Sequence, residues 1–127
     1  MNRGLGRAMD EATKTLEHEF RAEPGSFLLR LRCELVWDRE GFSRLEKAMR
    51  AVCEQMQGAE QLPRWLAEGY HHVATDVPSW TAHPNFPRPE PQAYYDSCVE
   101  RLTDLADWFF RGEHVYQEPH VWPELQA

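Results

Sequence analysis

Apolar side chains recur at spacings of three and four along most of this chain, the period of amphipathic helices rather than of strands. Over residues 8–22 the repeat is Met9, Ala12, Leu16 and Phe20, with polar Lys14, Glu17 and Glu19 between them. Pro24-Gly25-Ser26 breaks that helix. A second stripe runs from Arg39 to about Gln57 through Phe42, Leu45, Met49, Val52, Cys53 and Met56. Asp38 reads as its cap and Gly58 as its stop. Pro63 suits the first position of a further helix with Trp65, Leu66, Tyr70 and Val73 on its apolar face. Val77-Pro78 is expected to end or kink that helix, with a short helical turn around Ser79–Ala82. The clearest element comes last. Pro91 can open it, and Tyr94, Cys98, Leu102, Leu105 and Phe109 repeat at helical spacing up to Gly112. Tyr95, Val99, Ala106 and Phe110 are expected to widen that stripe.

Residues 27–37 carry two patterns at once. Phe27, Leu29, Leu31, Cys33, Leu35 and Trp37 alternate with their neighbours as a strand would. A lone strand leaves its backbone groups unpaired, however, and the only weak partner in sequence is His114-Val115-Tyr116. Ser26 can instead cap a helix buried on several sides. We read the segment as helix, with strand as the alternative.

Four prolines between His83 and Gln92 block both helix and ladder hydrogen bonds. That segment is expected to run extended and to strap across the domain, with Phe86 and nearby Trp80 pinned to the core. After Gly112 the chain has no period. The pattern as a whole predicts a mainly α fold: a compact bundle of four or five helices with a proline-rich crossover. Residues 1–112 would form a single domain and 113–127 an irregular, partly disordered tail.

Composition narrows the functional classes. With 127 residues there is room for one core without a disulfide or structural metal. A formal charge of −7 disfavours general binding of nucleic acid or of acidic membrane surfaces. No apolar run approaches a membrane span, and the first residues lack the apolar segment of a secretion signal, so a cytoplasmic location is expected. Cys33, Cys53 and Cys98 are odd in number and form no C-x-x-C pair. They are read as reduced, buried side chains.

Three groups could carry chemistry. Asp96, Glu100, Asp104 and Asp107 follow one another at spacings of four, four and three, so they line one helical face. Such a stripe is either a solvated surface or a docking surface for a basic partner. Trp80, Phe86 and Arg88 sit in the aromatic and proline segment, where rigid rings beside an arginine can anchor a partner or cover the core. Glu68, His71, His72 and Asp76 offer E-x-x-H and i,i+4 spacings that are weak metal-ligand candidates, since two ligands one turn apart can share an ion. A di-iron bundle would need a second E-x-x-H, and none occurs. The H-E-x-x-H, G-x-S-x-G and glycine-rich phosphate motifs are absent too.

The expectation from sequence is therefore a non-enzymatic protein-interaction domain, with no catalytic residue assigned and no cofactor implied. An immunity-type inhibitor or an accessory subunit that binds a basic partner protein is its concrete form. The alternative is a small helical metal-binding protein or metal-dependent enzyme. A homodimer pairing through residues 27–37 is a third reading.

Overall fold

The computed structural model describes the backbone of residues 3–125 and the side chains of residues 11–125. It contains five helices and, among the described residues, no strand: α1 (Arg3–Phe20), α2 (Phe27–Glu34), α3 (Arg39–Gln55), α4 (Arg64–Thr81) and α5 (Gln92–Arg111). The predicted helical bundle is thus observed. α1 packs most extensively on α3, and α4 on α5, with α3·α5 and α1·α4 contacts joining the pairs. None of the helices is long and apolar enough to cross a membrane.

α1 ends at Phe20, two residues before the expected stop, because Ala22 turns left-handed (φ 52°). Met9 of its expected stripe lies outside the residues whose side chains are described. Ala12 and Leu16 are buried as expected. Glu19 departs from its expected polar position: it is only 1% exposed. Both its carboxylate oxygens accept the Phe27 N–H, at 3.0 and 3.2 Å, and Ser26 Oγ accepts the Leu29 N–H at 3.1 Å. Two side chains therefore occupy orphan donors at the start of α2, where the helix dipole favours negative charge.

The ambiguous segment is helix, but only as far as Glu34. Leu35 adopts the left-handed conformation (φ 55°), and its N–H and that of Val36 both donate to the Arg30 carbonyl. A non-glycine residue there costs about 1–2 kcal/mol. The turn brings Trp37 into the core, stacked on Phe42 and edge-on to Phe27 and Tyr95, with its Nε1–H donating to Tyr94 Oη at 3.2 Å. Phe27, Leu28, Leu31 and Trp37 are consequently buried within the chain.

Asp38 precedes α3 but makes no side-chain cap; its carboxylate faces Arg30 at 3.2 Å and Arg44 at 3.9 Å. Pro63 and Pro91 stand at the N-cap positions of α4 and α5 rather than inside them. Pro78 does not end α4, which continues to Thr81. Val77 and Thr81 are both buried, so packing holds the chain helical on either side of the proline. Thr81 Oγ1 donates to the Val77 carbonyl at 2.8 Å and also meets Tyr95 Oη.

Gly58 and Gly112, the expected stops of α3 and α5, are both left-handed (φ 79° and 84°). They also meet: the Gly58 N–H donates to the Gly112 carbonyl at 3.0 Å. In α5 Tyr94, Tyr95, Cys98, Leu102, Leu105 and Phe109 are buried as expected, but Val99 and Ala106 are only half-buried and Phe110 is exposed, so the apolar stripe is narrower than its pattern suggests. Phe86 is buried, and the proline segment is tied down by Arg88, whose Nη1 donates to the Thr81 carbonyl at 3.0 Å.

Candidate functional site

Residues 113–125 are irregular in backbone yet packed along α5. Trp122 stacks on Trp108 with centroids 5.5 Å apart and planes within 4°. The Arg101 guanidinium lies 5.1 Å from the Trp122 ring centre, and its Nη2 donates to the Pro123 carbonyl at 2.6 Å. Tyr116 donates its hydroxyl hydrogen to the Asp104 carboxylate. That bond, more than burial, pushes the Tyr116 phenol up to about 12. His114 packs edge-on against Trp108 and pairs with Glu118 at 2.6 Å. The His114 ring and the His120 N–H together hold the exposed Glu118 carboxyl below its ordinary value.

Between α5 and this returning segment runs a groove of about 530 Å³. Glu100 and Asp104 border it from α5, and Glu124 from the segment after it. Tyr94, Tyr116 and Trp122 supply aromatic walls. The one arginine in the lining, Arg101, is buried and already paired with Glu46 at 2.9 Å. The open side of the groove is therefore dominated by carboxylates. His120 also lines it, and its Nε2 is shut off from solvent without a hydrogen-bond partner among the described residues.

The four carboxylates predicted from α5 thus have different surroundings. Asp96 accepts from Gln92 Nε2 at 2.8 Å and Asp107 lies 3.9 Å from Arg111, both outside this groove. Glu100 and Asp104 border it, and Asp104 is already engaged by Tyr116. Trp80 and Phe86 line a separate groove with Leu31, Arg32 and Leu35, whereas Arg88 is turned toward the Thr81 carbonyl. The seven predicted partner-binding residues accordingly do not share one surface pocket.

Among the metal-ligand candidates, His72 Nδ1 pairs with Asp76, and Glu68, His71 and His72 line a groove with Trp65 and Phe20. Among the described residues, no three His, Cys, Asp or Glu side chains are placed to hold one ion. Of the cysteines, Cys33 is exposed, contrary to expectation, while Cys53 and Cys98 are buried and unbridged. Burial pushes the Cys53 thiol up to about 12 and the Cys98 thiol to about 11, so neither supplies a thiolate near neutrality.

Sequence reasoning missed Glu124, Tyr116 and Trp122 as lining residues, because the last segment has no period to reveal which side faces the bundle. Its density of aromatic and histidine residues, HVYQEPHVW, was the available signal. No protein-family model, curated protein or solved structure matches this chain.

Proposed function

We propose that this chain is a non-enzymatic interaction domain that takes a basic segment of a partner protein into the groove between α5 and residues 113–125. One observation carries the reading. Glu100 and Asp104 come from a helix, Glu124 comes from a distant irregular segment, and all three border one aromatic-walled groove. Carboxylates beside aromatic faces suit guanidinium or ammonium groups, which gain from both the charge and the ring quadrupole. Aromatic walls held by stacking also lose little freedom on docking. An inhibitor of the immunity type, or an accessory subunit acting in the cytoplasm, is the concrete form this role would take.

The test is affinity capture with tagged protein, followed by identification of the captured chain and titration of salt. A Glu100→Lys, Glu124→Lys variant is compared with a charge-matched Asp96→Lys, Asp107→Lys control, after all three show equal folding. The expected result is a stoichiometric partner with a basic surface, released as salt rises and lost at least about tenfold in the groove variant alone. Equal capture by both variants would sink the assignment to this groove.

A further inference from the structure

A second groove, of about 430 Å³, opens between the end of α2, the end of α4 and the proline strap. Its size lies in the range of small-molecule sites. We infer that this groove binds an amphipathic carboxylate, with the acid head on Arg32 and the apolar body along Leu35, Trp80 and Phe86.

The head position rests on charge. Arg32 is exposed, and among the described residues no carboxylate lies within ion-pair distance of it, in a chain where acids outnumber bases by seven. Its neighbour in sequence order on the same helix, Arg30, is by contrast paired with both Glu34 and Asp38. The Arg32 guanidinium lies 4.9 Å from the Trp80 ring centre. An arginine resting on an aromatic face keeps its N–H edge available for a two-pronged carboxylate contact. His83 adds a second donor. Its Nδ1 accepts the Asn85 N–H at 3.1 Å, which places the proton of the neutral ring on Nε2.

The body position rests on Leu35. A left-handed helix end favours glycine, yet this residue is a leucine, 52% exposed, on the wall of the groove. Its side chain recovers only part of its own burial within this chain. An apolar ligand body lying along it would supply the rest. Trp80, half-buried, and Phe86, buried, continue the same apolar wall.

The proposal is independent of the basic-partner reading and is tested with the intact protein. Calorimetric titration with decanoate is compared with decyltrimethylammonium, both below micelle-forming concentration. Decanoate is expected to bind one to one and the cation of equal chain length not to bind. Arg32→Gln should weaken decanoate about tenfold, the loss of one charge-assisted contact. Leu35→Gly should also weaken it while raising the melting temperature, because glycine suits the left-handed turn. That opposite movement separates a binding role from a structural one. Equal binding of both amphiphiles, no binding by the folded protein, or an unchanged affinity in either variant would overturn the assignment.

Discussion

Arg101 of α5 and Glu46 of α3 form an ion pair at 2.9 Å in which both side chains are only 6% exposed. The pair is not isolated. Arg50 reaches the same Glu46 carboxylate at 3.3 Å, and Arg101 continues outward to the Pro123 carbonyl and the Trp122 ring. One arginine thus ties two helices to the segment that walls the acidic groove. Removing Arg101 leaves the buried Glu46 carboxylate with only the longer contact to Arg50, and also removes the ties to Pro123 and Trp122. Arg101→Ala is therefore expected to destabilise the fold by about 3–5 kcal/mol, while Glu46→Leu with Arg101→Met costs far less. Urea unfolding of the single and double variants checks this; equal losses would show that the helices do not depend on charge pairing here.

Gly69 of α4 lies against the ring of Phe20 so closely that an added Cβ would stand 2.0 Å from Phe20 Cδ2. Gly69→Ala should cost about 1–3 kcal/mol through forced movement of that ring, which also packs on Trp65 and Tyr70. Adding Phe20→Leu should restore part of the loss. Thermal melts of the two variants separate steric crowding from a simple change in helix propensity, since alanine is the better helix former.

Burial raises the Glu19 carboxyl above 4.5, with the Phe27 and Leu28 N–H groups pulling the other way. A raised folded-state value means the folded chain holds this proton more tightly than the unfolded one. The resulting stabilisation is complete below pH 4.5 and is lost as pH rises through the folded value. Glu19→Gln keeps an acceptor for Phe27 but has no such proton. Relative to that variant, the original chain should therefore lose stability as pH is raised from about 4 to about 7. A constant difference between their melting temperatures across that range would contradict the argument.

Trp122→Ala should cost about 1–3 kcal/mol, the loss of the Trp108 stack and of the contact with Arg101. Residues after Gly112 should become more accessible to limited proteolysis in the same variant. Unchanged stability would mean that the segment contributes nothing to the fold it lies on.

A thiol reagent should titrate one cysteine in the folded protein and three after denaturation, because Cys53 and Cys98 are buried and Cys33 is not. Rapid reaction of more than one thiol in native conditions would show that the α3·α5 region opens readily.

A bundle of four or five helices, the clearest apolar faces and the Gly112 stop were legible from the sequence, since spacing and local backbone preference are properties of neighbouring residues; α3 instead ends at Gln55, before the expected Gly58. The same local logic misplaced Glu19, Cys33 and Phe110. Whether a single residue is buried depends on which element arrives from elsewhere: α2 presents its N-terminus to Glu19, whereas Cys33 and Phe110 stay exposed. Pro78 shows the limit in another way, as packing of Val77 and Thr81 overrides a local breaker.

The acidic residues of α5 were visible at their spacing, but spacing alone makes all four equivalent. The path of residues 113–125 sets Glu100 and Asp104 apart from the other two, by joining Tyr116 to Asp104 and placing Glu124 on the groove that Glu100 borders. Period and charge order along the chain therefore determined the helical class and the acidic face. Which carboxylates share a groove with aromatic rings was decided by contacts between residues far apart in sequence, and no local pattern encodes those.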